Sequence, residues 1–146
     1  MKVLFKKLVP YAQKPKFGKP GDAGADLVAT SVDMSGHQIV YSTGLAVEIP
    51  EGMVGLVFPR SSVRNYDLSM SNSVGVIDSG YRGEIMITFN IVNRDQAINR
   101  ESYTTYNVGD RIAQLVIMPV PLVKYTEVDE LSETERGTDG HGSTGN

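Results

Sequence analysis

Glu84-Ile85-Met86-Ile87-Thr88-Phe89-Asn90-Ile91-Val92-Asn93 alternates from one end to the other. Ile85, Ile87, Phe89 and Ile91 fall on one face, and Met86, Thr88, Asn90 and Val92 on the other. Successive side chains of a strand point to opposite faces, so this period of two in β-branched residues predicts a strand with one face in a core. Working outward, shorter runs of the same kind recur at 3–9, 38–42, 45–49, 53–58, 111–118 and 123–128, separated by Gly, Pro, Asn and Asp. Many short strands with turn punctuation predict an all-β sandwich or barrel. No window of helical length shows an apolar stripe at i, i+3, i+4 with caps. The best helical candidate is a turn or two over 62–67, after Pro59.

At 146 residues and 40% hydrophobic content the chain suits one domain with an ordinary core. Absence of cysteine excludes structural disulfides and thiolate metal sites, and permits an intracellular, cytoplasmic location. His37 and His141 are too isolated for a histidine-rich zinc site. A net charge of -3 without a block of Lys/Arg argues against polymeric nucleic acid as a partner. Lys6 and Lys7 break the N-terminal apolar run, so neither a signal peptide nor a membrane span is expected.

Five segments carry chemistry. Residues 71–83 place an amide (Asn72), a carboxylate (Asp78), a phenol (Tyr81) and three glycines within thirteen residues. Such a composition predicts a hairpin that holds a small planar ligand, with a plain surface turn as the competing reading. Pro59-Arg60-Ser61-Ser62 joins a strand to the short helical candidate, which suits either an anion site or simple N-capping. In 21–27, Asp26 is a turn residue or a carboxylate that holds the water shell of a phosphate-bound Mg²⁺. In 109–116, Gln114 interrupts an apolar run and needs a sheet neighbour or a ligand oxygen, while Asp110 and Arg111 suit an ion pair. From Asp129 the composition turns polar and glycine-rich, dividing the chain into a β-rich domain (1–128) and a flexible tail (129–146). Arg136, His141, Ser143 and Thr144 set among glycines suit a tail that orders over an anionic ligand; a frayed terminus is the alternative.

In this order the segments Ala-Gly-Ala-Asp-Leu, Pro-Arg-Ser-Ser, Gly-Val-Ile-Asp-Ser-Gly-Tyr-Arg-Gly, Gly-Asp-Arg-Ile-Ala-Gln-Leu and Arg-Gly-Thr-Asp-Gly-His-Gly-Ser-Thr-Gly resemble the five motifs of the trimeric dUTP pyrophosphatase (dUTPase) family, over 23–145. The resemblance implies a distorted jelly-roll-like β-barrel or sandwich, a homotrimer with active sites at subunit interfaces, and Mg²⁺-dependent cleavage of dUTP to dUMP and pyrophosphate. That reaction limits uracil incorporation into DNA and supplies dUMP for dTMP synthesis. By the same likeness Asp78 activates the water that attacks the α-phosphorus, and Asp26 meets Mg²⁺ through water. Asn72 with the backbone of Gly75, Val76, Ile77 and Met86 would read uracil, and Tyr81 would pack on the deoxyribose. Arg60, Ser61, Ser62 and Gln114 would hold phosphates, clamped by Arg136, His141, Gly142, Ser143 and Thr144 of a neighbour's tail.

Two departures stand out. His141 replaces the aromatic Phe usual in the tail, which predicts weaker closure once the imidazole protonates. Asp139 stands where Gly is common, so a negative charge either approaches the phosphates or faces solvent. A dCTP deaminase shares the Pro-Arg-Ser-Ser segment but needs a glutamate near 71–83, and a trimeric regulatory protein is the reading from a different class.

Overall fold

The alternating segment becomes the strand Met86–Ile91, and Ile85, Ile87, Phe89 and Ile91 are all buried. The computed structural model describes residues 1–92 and 103–140. In chain order their strands are β1 (Leu4–Lys7), β2 (Ala25–Val28), β3 (Ser31–Ser35), β4 (Gln38–Ser42), β5 (Leu45–Glu48), β6 (Met53–Pro59), β7 (Leu68–Met70), β8 (Gly75–Ile77), β9 (Met86–Ile91) and β10 (Arg111–Pro119). A single short 3-10 helix, Ser61–Asn65, follows β6, and no α-helix occurs among the described residues. None of these elements is a helix long and apolar enough to cross a membrane.

The strands form two four-stranded antiparallel sheets, ordered β2-β10-β6-β8 and β3-β4-β9-β7, with a separate β1-β5 ribbon. Neither sheet closes on itself, so the jelly-roll-like fold is an open sandwich and not a sealed barrel. Its core joins Leu27, Val57 and Leu115 of the first sheet to Ile39, Tyr41, Ile87 and Phe89 of the second. Burying each such side chain is worth about 1.5–3 kcal/mol, which is why the alternating faces decide the layering. Tyr106 enters this core between the sheets, with its ring at 5.7 Å from Phe89 and 6.2 Å from Tyr41. The Tyr41 hydroxyl donates to the Tyr106 carbonyl at 3.0 Å, so the two tyrosines fix each other.

Several expectations need correction. Residues 71–83 do not form a laddered hairpin: β8 pairs with β6 in one sheet, while its sequence neighbours β7 and β9 pair with each other in the second. Gly75 eases this close pairing, because a Cβ there would lie 3.2 Å from Val57 Cβ and push it by a few tenths of an ångström. The run 123–128 makes no strand in the protomer; its side chains are exposed, Tyr125 almost wholly so, as is Leu122 just before it. A β-prone sequence without a ladder partner has nothing to satisfy its backbone. The 62–67 helical candidate is a 3-10 turn one residue earlier, ended where Tyr66 turns extended (φ -125, ψ 153). Strands β3 and β7 were not anticipated: β3 is exposed throughout and β7 has only three residues, so neither offers a hydrophobic period.

Candidate active site

Three neighbouring strands of the first sheet build a cleft of about 610 Å³. Strand β2 supplies Asp26, the end of β6 leads into Arg60 and Ser61, and β10 supplies Arg111 and Gln114. Register explains the convergence, since Gln114 stands opposite Asp26 on one side and Phe58 on the other. Asp26 is the hub. Its Oδ1 accepts from Arg60 Nε at 2.8 Å and its Oδ2 from Arg111 Nη1 at 3.0 Å, with only 14% of its side chain exposed. Charge-assisted bonds of this length hold both guanidinium planes in place. Lys19 and Asp22 complete the rim, so three cations face two carboxylates and the cleft keeps a positive excess suited to an anion.

Gln114 is satisfied by the sheet: its Nε2 donates to the Pro59 carbonyl at 3.3 Å. Gly24 leaves room for this amide, since a Cβ there would lie 2.6 Å from Gln114 Oε1 and displace it. Arg60 Nη1 reaches Ser62 Oγ at 3.4 Å, and no side chain caps the 3-10 turn, so the N-capping reading of Ser61 and Ser62 does not hold. Nor do Asp110 and Arg111 pair. Asp110 Oδ2 accepts the Asn107 N–H at 2.7 Å, which frees Arg111 for Asp26.

A second cleft, of about 240 Å³, lies on the turn after β8 and gathers Val76, Ile77, Asp78, Tyr81 and Met86. The Asp78 carbonyl accepts the Tyr81 N–H at 3.0 Å, closing a tight turn that leaves the Asp78 carboxylate exposed. Tyr81 lies along Gly83 and donates to the Glu84 carbonyl at 3.0 Å; a Cβ on Gly83 would overlap its hydroxyl and ring. Asn72, on the turn before β8, holds its Nδ2 3.6 Å from the point a Cβ on Gly75 would occupy.

The two clefts share no lining residue. Ile77 stands opposite Gly55, whereas Arg60 lies five residues further along the same chain. At about 3.3 Å per residue the Asp78 turn and Arg60 are about 17 Å apart within one protomer. In the tail, Arg136 Nε donates to the Asp139 carbonyl at 3.1 Å, and neither residue lines either cleft. His141, Gly142, Ser143 and Thr144 lie outside the described residues.

No group of three or more metal-ligating side chains occurs among the described residues. Asp26, each of whose oxygens accepts one guanidinium N–H, fits a carboxylate that would hold Mg²⁺ through water. Sequence reading missed Lys19, Asp22 and Arg111 in the cationic cleft. Sequence reading pairs Arg111 only with Asp110; strict alternation from Gln114 would turn it to the opposite face, and the register shift between Arg111 and Ala113 allows it to reach Asp26.

Fold and clefts together define a small β-sandwich protein with an anion-adapted pocket at one end of a sheet and an open turn-lined pocket at the other. The dUTPase family model matches residues 10–145, and the chain belongs to that family. It is 44% identical over 142 residues to the deoxyuridine 5'-triphosphate nucleotidohydrolase of Corynebacterium efficiens, covering 95% of this chain and 75% of the relative. The enzyme of the same name from Corynebacterium glutamicum is 47% identical over 134 residues, covering 90% and 86%. Among solved structures, a variant of the Staphylococcus bacteriophage 80alpha dUTPase with dUpNHpp superposes at TM-score 0.82 and 32% identity, over 99% of this chain and 98% of its own. A dUTPase variant from phage phi11 of S. aureus, solved for the coordination of a structural Mg(II) ion, matches at TM-score 0.73 and 28% identity over 89% and 98%.

Proposed function

We propose that this chain hydrolyses dUTP to dUMP and pyrophosphate at sites assembled between copies of itself, as a homotrimer. The supporting observation is the division of the site residues between two clefts of one protomer. A carboxylate that aims a water at phosphorus must sit within hydrogen-bond reach of that water, so about 17 Å of strand between Asp78 and Arg60 leaves one protomer unable to serve one phosphate with both. A second copy bringing its cationic cleft to the first copy's turn restores the distance. The unpaired, exposed run 123–128 supports the same reading, being a strand-like arm that lacks a partner at home.

In this assignment Asp78 accepts the proton of the attacking water, and general-base help of that kind contributes typically about 10²- to 10⁴-fold. Asn72 and the backbone of Gly75–Ile77 and Met86 offer donors and acceptors to the uracil edge. Tyr81, held by Gly83 and Glu84, presents a ring face to the sugar where a 2′-hydroxyl would collide. Arg60, Ser61, Ser62 and Gln114 take the phosphates, with Asp26 fixing the Arg60 plane. Bound Mg²⁺ would neutralise phosphate charge, its water shell held by Asp26. Arg136, His141, Gly142, Ser143 and Thr144 belong to the tail (129–146) that closes over the triphosphate. The product supplies dUMP and keeps uracil from DNA, in the cytoplasm.

The deaminase reading gains no support. The nearest glutamate to the Asp78 turn, Glu84, has its carboxylate engaged by the Gly44 N–H at 2.7 Å.

Subunit complementation tests the proposal. Asp78→Asn and Arg60→Ala chains, each inactive toward dUTP alone, are unfolded, mixed in equal amounts and refolded together. Recovery of about a quarter of wild-type pyrophosphate release is expected, the share of randomly mixed interfaces that join two intact halves. No recovery from a mixture that refolds to the native size would place both residues in one chain's site and overturn the shared-site reading.

A further inference from the structure

Tyr106 is the one buried side chain whose polar atom has no hydrogen-bond partner among the described residues. The residue is 3% exposed. Its ring is held on three sides, with Tyr66 stacked at 3.9 Å and Tyr41 and Phe89 meeting it at steeper angles. Its main chain is held too, by the Tyr41 hydroxyl. The Tyr106 oxygen is therefore aimed by packing, and an aimed, unpaired hydroxyl inside a core costs stability that calls for a reason.

Its surroundings supply one. Burial pushes this phenol above its ordinary value, while Ser62 pulls it down, Tyr66 raises it, the Arg60 charge lowers it and Asp110 raises it. Ser62 is the side chain whose hydroxyl acts on this phenol, although no hydrogen bond between them is formed. Ser62 already receives a long contact of 3.4 Å from Arg60 Nη1 on the cleft side. A serine hydroxyl has one proton to give and two lone pairs to fill.

We propose that Tyr106 is a positioning residue that, on ligand binding, donates its O–H to Ser62 Oγ and thereby turns the single Ser62 proton outward to a phosphate oxygen. With Arg60 and Tyr106 filling both lone pairs, the Ser62 O–H keeps one direction, which this proposal gives to the phosphate that Arg60 holds. No proton is transferred; the phenol, the serine and the anion form a chain of donors, each strengthening the next. This rests on the reading of Ser62 as a phosphate ligand in dUTP hydrolysis.

The test is a double-mutant cycle of Tyr106→Phe and Ser62→Ala, with kcat/KM for dUTP and thermal melting measured on all four proteins. Tyr106→Phe removes one oxygen and leaves the packing intact. In the wild-type background kcat/KM is expected to fall about three- to tenfold, the value of one hydrogen bond, with no decrease in Tm. On the Ser62→Ala background the same change should alter nothing. A Tyr106→Phe protein as active as wild type, or an equal loss in both backgrounds, overturns the inference while a damaged Ser62→Ala protein keeps the Ser62 assignment. If Ser62→Ala itself turns over dUTP normally, the phosphate role of Ser62 fails and this inference fails with it.

Discussion

The cationic cleft and the Asp78 turn are both made from strand ends of one sheet, yet they are opposite in state. Asp26 is paired with Arg60 at 2.8 Å and with Arg111 at 3.0 Å, and the strands beneath fix that geometry before any ligand arrives. Around Asp78 the backbone is tight but the carboxylate stands exposed and the apolar Val76 and Met86 face solvent. An anion-holding site benefits from being pre-organised, since guanidinium groups fixed in place lose little freedom on binding. A site that must exclude water around a reacting bond gains from being finished by another surface. One half is paired within the protomer, then, and the proposed function has the other half covered by a second copy.

The sharpest break of that comparison is Asp78→Asn. The substitution keeps shape and removes the proposed base, so pyrophosphate release from dUTP should fall about 10²- to 10⁴-fold. Because the side chain is exposed and bonds nothing among the described residues, the melting temperature should stay put. A protein that loses activity only in step with its Tm would make Asp78 structural.

Asp26→Asn attacks the paired half, and should behave in the opposite manner by costing stability as well as turnover. Two charge-assisted bonds weaken, leaving Arg60 and Arg111 facing each other, for a loss of about 1–3 kcal/mol in denaturant unfolding. KM for dUTP should rise as the Arg60 plane is released. Unchanged stability would mean that the triad is only a surface arrangement.

Gly83→Ala tests how the open half is shaped. The added Cβ overlaps the Tyr81 ring, which at 42% exposure can swing into solvent. Stability should hardly change, while discrimination of dUTP over UTP should drop about tenfold if Tyr81 packs on the sugar as proposed. Undiminished discrimination would remove Tyr81 from the sugar-reading role.

How much of this contrast the residues announced depends on which physical signal carried each part. Alternation made β9 legible because its inner face is entirely buried, and the same rule missed β3, whose residues are all exposed. Asp26, Arg60 and Gln114 were legible as polar groups at strand ends, but the Asp26–Arg111 pair joins residues 85 apart in sequence and depends on register alone. The Asp78 turn was legible from glycine and Asp-Ser, whereas its pairing through β8 to β6 was not, since local sequence encodes a turn and not the choice of sheet. Tyr106 reads as one more aromatic before a Gly-Asp turn; only the packed core shows that its hydroxyl is unpaired.

The smallest effect belongs to the aromatic floor beneath the paired half. Burial raises the Tyr106 phenol above its ordinary value, and raises Tyr41 likewise, opposed there by Thr105 and the Tyr106 backbone. A phenol whose folded value is raised stays neutral in the native state after the unfolded chain has begun to ionise near pH ~10. Its stabilising contribution is therefore whole below that pH and is lost as pH rises through the folded value. Unfolding free energy should be flat from neutrality to about pH 9 on this account and should decline above pH ~10. Tyr106→Phe should make the decline shallower, because one of the two buried phenols no longer titrates. An identical alkaline slope in wild type and Tyr106→Phe would show that this hydroxyl meets water in the native state, and the cleft would then rest on a wetter floor than its packing indicates.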